Sequence, residues 1–170
     1  MVSMAGYSDV RDQSDLQVSF LVELLKLASL INGPMQDGVA APNKLSLNEL
    51  KIVLCLSGEG VLAGHAIAEL LGMAPMNVSR ALASLRKRGW IEAVSDPTSK
   101  RRKPYQLSVK GKQNQQALLP DIGGLASFLL SKLKVSEVML MKKAASRIID
   151  RTGDWLELHN AGLKVQQEFA

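Results

Sequence analysis

The sequence predicts a mainly α-helical fold with a small β-wing: a winged helix-turn-helix unit flanked by N- and C-terminal helices. Three observations predict it. Residues 76–109 read as a helix ending in cations and Gly89, an alternating segment, a basic turn containing Pro, and a second alternating segment. Just before them, two short helical stretches meet at Gly72, as a helix-turn-helix requires. Both ends of the chain carry apolar runs at helical spacing.

Residues Asp15 to Ile31 form the first predicted helix. Its polar positions, Ser19, Glu23 and Lys26, make a narrow stripe, and apolar residues from Leu16 to Ile31 wrap the rest. Such a helix is covered on several sides, and a second subunit is the expected cover. Residues 32–45 hold Gly33, Pro34, Gly38 and Pro42 and read as a loop. Ser46 with Glu49 forms a capping box for a helix whose apolar face is Leu50, Val53, Leu54 and Leu56, closed by Gly58 and Gly60. Val61 and Leu62 suffice only for a stub of strand. A short helix spans Gly64 to Leu71, with Ile67, Leu70 and Leu71 facing inward, and Gly72 stops it. Pro75 opens the next helix, where its missing N–H is harmless, and Val78, Ala81, Leu82 and Leu85 turn toward the core.

Trp90, Ile91 and Val94 then make an outgoing strand, Asp96 and Pro97 begin its turn, and Tyr105, Leu107 and Val109 return. A helical stretch runs from Lys110 to Leu133, kinked at Pro120 and loosened by Gly123 and Gly124. Ser136 caps a last helix with Val138, Met139, Met141, Ala145, Ile148 and Ile149 on its apolar side, and after Gly153 a further piece covers Trp155 to Phe169. The expected division is a reader at 45–112 and a helical dimerisation region at 1–31 and 113–170.

The net charge of +5 is unevenly spread. From Arg80 to Lys112 there are ten Lys and Arg against two acids, Glu92 and Asp96, whereas the rest holds eleven basic and fourteen acidic residues. A basic face on a near-neutral body is the footprint of polyanion binding. With the apolar stripe turned inward, the outer face of the second helix carries Met76, Asn77, Ser79, Arg80, Ala83, Ser84 and Lys87. Arg can donate twice to guanine, and Asn can bond adenine bidentately. Lys87 and Arg88 stand where phosphates pass. The bland alternatives are an ion pair of Arg80 with Glu69 and a helix-start cap for Asn77. Lys100, Arg101, Arg102 and Lys103 crowd the hairpin tip, where an anionic partner relieves their repulsion and minor-groove or backbone docking is natural. Double-stranded DNA is the partner these residues imply.

From Leu45 to Lys112 the chain resembles the winged helix-turn-helix of the MarR family of bacterial transcription regulators. The resemblance is carried by the Ser46 cap, the segment from Ala66 to Ala93, the charged wing, and Leu107-Ser-Val-Lys-Gly111, where the family commonly has Leu-Thr-x-x-Gly. Ser99 stands where the family wing carries an Asp paired with the residue at Arg101, so either Asp96 substitutes or the wing is looser until DNA orders it. The resemblance implies a homodimer on a pseudo-palindromic operator, half-sites one helical turn apart. It also implies control by a small ligand, often an aromatic acid. Lys26, Lys44 and Lys51 are the candidate carboxylate partners.

Nothing points to an enzyme. His65 and His159 are the only histidines and Cys55 the only cysteine, so zinc-ligand spacing is absent, and no GxSxG, GxGxxG or P-loop occurs. No cofactor or metal is expected. Cys55 reads as a small core residue, Trp90 as packing between wing and core, and Trp155, Met139 and Met141 as core; His65 is either a phosphate contact or a plain surface residue. A lone thiol, a polar N-terminus and no uninterrupted apolar run of about 18 residues predict a soluble, cytoplasmic protein. The reading is a ligand-responsive homodimeric repressor. A constitutive or architectural DNA-binding protein and a winged-helix protein-interaction module stand beside it as alternatives.

Overall fold

A computed structural model of the chain describes residues 13–95 and 104–161. The wing-tip residues Lys100 to Lys103, with Asp96 and Ser99, lie outside the described residues. The chain divides into two compact units, residues 1–125 and 126–170.

In the first unit, α1 (Gln13–Met35) leads directly into a π-helical turn, Gln36–Ala40. This corrects the loop expected over residues 32–45 for its first part, 32–40; residues 41–45 are turn and irregular chain. Val39 and Ala40 are fully buried, and their burial outweighs the weak helix propensity of Gly33, Pro34 and Gly38. Gln36 Oε1 accepts the Leu47 N–H at 2.8 Å, and Asn43 Nδ2 donates to the Val39 carbonyl and to Asp121 Oδ2, both at 2.8 Å. The junction is therefore tied to the helices on either side of it.

Ser46 caps α2 (Leu47–Glu59), and Glu49 completes the capping box as expected. The buried face is Leu50, Ile52, Val53 and Leu56; Leu54 is only partly covered, Ile52 was not anticipated, and Gly60, not Gly58, is the terminator. Leu62 bridges to Tyr105 as the strand stub. In α3 (Gly64–Leu71) the inward residues are Ile67 and Ala68, while Leu70 is 53% exposed. The sequence reading placed Leu70 inward; at 100° per residue the axis of the buried face lies between Ile67, Ala68 and Leu71, and Leu70 falls outside it. Gly72 ends the helix in the left-handed region at φ 58°, where a side chain is disfavoured.

Pro75 is the first residue of α4 (Pro75–Lys87), and Val78, Ala81, Leu82 and Leu85 are buried. The wing is the antiparallel pair β1 (Ile91–Ala93) and β2 (Tyr105–Leu107), with Ile91 opposite Leu107 and Glu92 opposite Gln106. Val109 does not continue the strand. It opens α5 (Val109–Leu129) and is 76% exposed, because the Ser108 hydroxyl accepts the Gly111 N–H at 2.9 Å and starts a helix there. α5 runs through Pro120, Gly123 and Gly124 without interruption. Pro120 is exposed, so the carbonyl it leaves unpaired faces solvent. The core gathers the buried faces of α2, α3 and α4 with Trp90, Ile91, Leu107 and Leu118.

The second unit contains α6 (Val135–Asn160), a single helix that passes through Gly153 instead of restarting after it. Around that glycine, Arg151 pairs with Asp154 at 2.7 Å and the Trp155 and His159 rings stack at 4.8 Å. Its first turn is closed by the Lys134 N–H donating to Glu137 at 2.7 Å, not by Ser136. Met139, Met141, Ile149 and Trp155, expected in a core, are all exposed. So are Leu16, Phe20, Leu21, Leu25 and Leu30 on α1.

By length and composition alone, the segment Asp15–Ala40, with a mean hydropathy of 1.3, passes for a helix able to cross a bilayer. Glu23 and Lys26 near its middle make hydrocarbon a costly surrounding.

Candidate nucleic-acid interface

The α4 helix separates two chemistries. Its inward stripe leaves Met76, Asn77, Ser79, Arg80, Ala83 and Lys87 exposed, with Met76 at 63%. Pro75 starts the helix without leaving an unmet donor, so the exposed face begins at Met76. Arg80 makes no ion pair with Glu69 among the described residues, and neither side chain has an alternative partner there. Asn77, Arg80 and Ser84 line one groove with Ser46, Asn48 and Glu49. Asn48, at the start of α2, is the member that sequence reasoning missed; only folding places that turn against α4.

Two predicted contact residues have partners within the protein, and of these Ser84 is also exposed. The Ser84 hydroxyl donates to Glu49 Oε1 at 2.5 Å. Arg88 donates from Nη1 to the Lys44 carbonyl at 2.8 Å, lies 3.8 Å from Glu49 Oε1, and stacks its guanidinium 4.9 Å above the Trp90 ring. Arg88 is thus an internal bracket between the α1–α2 turn, α4 and the wing. The sequence placed it among phosphate contacts because a cation after a basic helix shows no sign of its acceptors.

Glu49 is buried. Burial pushes its carboxyl upward, but the Ser46 N–H, the Ser84 and Ser46 hydroxyls and the Arg88 charge together outweigh that and hold it below the usual carboxylate value. The C-terminal end of α4 is closed by Lys110, whose Nζ donates to the Arg88 carbonyl at 2.9 Å, a favourable place for a cation. Ser108 donates to the Gly89 carbonyl at 2.7 Å. The root of the wing is therefore built onto the end of α4.

His65 is exposed and lines a cleft between α3 and α4 with Glu69, Ser79 and Tyr105. Cys55 is half-buried, and burial and then Glu59 push its thiol up, the reverse of what a reactive thiolate needs. Among the described residues no group of His, Cys, Asp and Glu is placed to hold a metal. The expected effector lysines are not brought together: Lys26 is on α1, Lys51 on α2, and Lys44 sits in the turn with φ 58°. A different cation, Lys112, lines a cleft of about 350 Å³ with Leu56, Ser57, Leu107, Gln115 and Gln116.

Residues 45–103, from the cap of α2 to the wing, match the family model described as MarR family. The match is confined to this winged-helix segment. MarR-family proteins are transcription regulators, not enzymes. The fold is shared with a MarR family transcriptional regulator from Silicibacter pomeroyi DSS at 19% identity and a TM-score of 0.73, covering 85% of this chain and 97% of that one. It is shared with a mutant MarR from E. coli complexed with operator DNA, at 17% identity and a TM-score of 0.62, covering 83% and 99%. The PcaV transcriptional regulator from Streptomyces coelicolor, in complex with its natural ligand, has 18% identity and a TM-score of 0.55, covering 88% and 98%. No curated protein matches the chain in sequence.

Proposed function

We propose that the chain is a homodimeric, ligand-responsive transcription regulator of the cytoplasm, acting as a repressor on a pseudo-palindromic operator. One observation carries the DNA reading: α4 is apolar and buried on one side, while Asn77 and Arg80 are exposed on the other, without an ion pair for Arg80 among the described residues. Arg80 and Asn77 read base edges, Met76 meets a thymine methyl, and Ser79 and Lys87 contact the backbone. Lys100, Arg101, Arg102 and Lys103 supply the salt-sensitive share of affinity. The MarR neighbour complexed with operator DNA supports DNA as the partner.

The dimer is supported by α1, which exposes Leu16, Phe20, Leu21, Leu25 and Leu30, more contiguous apolar surface than a monomer ordinarily leaves in water. Control by a small molecule is supported by the ligand-bound neighbour and by the Lys112 cleft, whose apolar floor, single cation and amide rim suit a small carboxylate. Such a ligand lifts repression by binding the DNA-incompetent arrangement more tightly.

Selection from random duplexes tests the reading. A two-fold symmetric consensus supports it, and a pool with no enrichment sinks it in favour of an interaction module. Thermal shift against aromatic acids then separates control from constitutive binding: one acid that stabilises the protein and releases DNA supports control, and none doing so favours an architectural role.

A further inference from the structure

Glu49 does more than cap α2. The capping box needs one carboxylate oxygen, and Oε2 fills that role, accepting the Ser46 N–H at 2.7 Å and the Ser46 hydroxyl at 2.9 Å. The other oxygen, Oε1, points to α4. It accepts the Ser84 hydroxyl at 2.5 Å and lies 3.8 Å from Arg88 Nη1. Ser84 and Arg88 are one helical turn apart, so the two contacts act on a single face of α4. Arg80 is one turn before Ser84, and Asn77 one before that, on the same stripe and in the same groove.

An acid beside a surface that meets DNA opposes the phosphates by its charge. Any favourable part it plays in recognition must come through geometry. We infer that Glu49 is a positioning residue for sequence recognition: through Ser84 and Arg88 it fixes the rotation of α4 about its axis, and with it the presentation of Asn77 and Arg80 to base edges. Ser84 is then a link to Glu49 and not a base contact. This inference rests on the DNA-binding reading above.

The experiment compares wild type, Glu49→Gln, Ser84→Ala and the double variant on selected and scrambled duplexes across a salt series, with thermal unfolding of each. Gln keeps the size of the side chain and an acceptor for the Ser46 N–H, but removes the charge that draws Ser84 and Arg88. Each single variant is expected to lower discrimination about tenfold, and the double variant no further, because both cut one coupled contact. The salt slope stays that of wild type, since no phosphate contact is lost. Charge alone predicts the opposite sign: Glu49→Gln would tighten binding to every duplex and leave discrimination unchanged, and that result overturns the inference. Additive single effects overturn it too.

Should Glu49→Gln fail to fold, Ser84→Ala decides by itself, because it leaves the α2 cap intact. Relaxed preference at several base pairs supports positioning; relaxed preference at one means that Ser84 touches that base, which overturns it. A wild-type protein that enriches no duplex overturns the DNA reading and this inference together, whereas enrichment with wild-type behaviour in the variants overturns the inference alone.

Discussion

Arg80 and Arg88 are eight residues apart on one basic helix, yet the fold gives them different work. Among the described residues Arg80 projects from α4 with no ion pair, and Arg88 is held by the Lys44 carbonyl, Glu49 and Trp90. Arg80→Ala is expected to weaken operator binding by about 1–3 kcal/mol and relax preference at one base pair, as read from binding to a set of single-base variants. Glu49 gives a pH prediction. Its carboxyl is held below the usual value of 4.5 in the folded protein, so the native state favours the ionised form. The stability that wild type holds over Glu49→Gln is full above that value and is lost as pH falls through the depressed native pKa. Denaturation of both proteins from pH 7 to pH 3 should show the two curves converging at the acid end. Gly111 is constrained by space. A Cβ there would stand 1.8 Å from the Trp90 carbonyl oxygen and 2.8 Å from its carbon. Backbone cannot move aside as a flexible side chain does, so Gly111→Ala should lose about 3 kcal/mol or more in chemical denaturation.

The wing and α4 are joined by main-chain and side-chain bonds at Gly89, Ser108 and Lys110, so the hairpin is carried by the end of α4. The cations at 100–103 should act through charge more than through base identity. Replacing Lys100, Arg101, Arg102 and Lys103 with Gln should weaken all duplexes alike, and the salt dependence of binding should flatten by roughly 0.9 in logarithmic slope per lost phosphate contact. A change in sequence preference with unchanged slope would mean that the wing reads bases instead. In α1, by contrast, the surface is apolar. Glu23 and Lys26 are confined to a narrow stripe, and Leu residues face water on the other sides.

For the chain as a whole, the proposed association would cover the exposed apolar surface of α1 and, separately, of α6. A homodimer predicts a midpoint of thermal unfolding that rises with protein concentration. It also predicts that Leu21→Glu with Leu25→Glu yields a monomer by sedimentation that has lost tight operator binding. A wild-type chain that sediments as a monomer at micromolar concentration would refute the dimer. The charge asymmetry belongs to the same level. On the proposed reading, a cationic stretch on an otherwise slightly acidic protein would steer that stretch toward a polyanion.

Much of this was legible in the linear order of residues. The Ser46–Glu49 box, the stop at Gly72, Pro75 at a helix start and the inward stripe of α4 are local signals, each complete within a few residues, and each appears in the structure. Elements whose state depends on distant partners were misread. Residues 36–40 are helical because Val39 and Ala40 are buried; Val109 is the local exception, helical because the adjacent Ser108 caps it. The contact surface divides in the same way. That one side of α4 is polar follows from a period of 3.6 residues. That Ser84 and Arg88 are engaged from beneath, that Asn48 joins their groove, and that Gly111 admits no side chain follow from pairs far apart in sequence. Periodicity specifies which way a side chain faces, and only the packed chain supplies what it meets there.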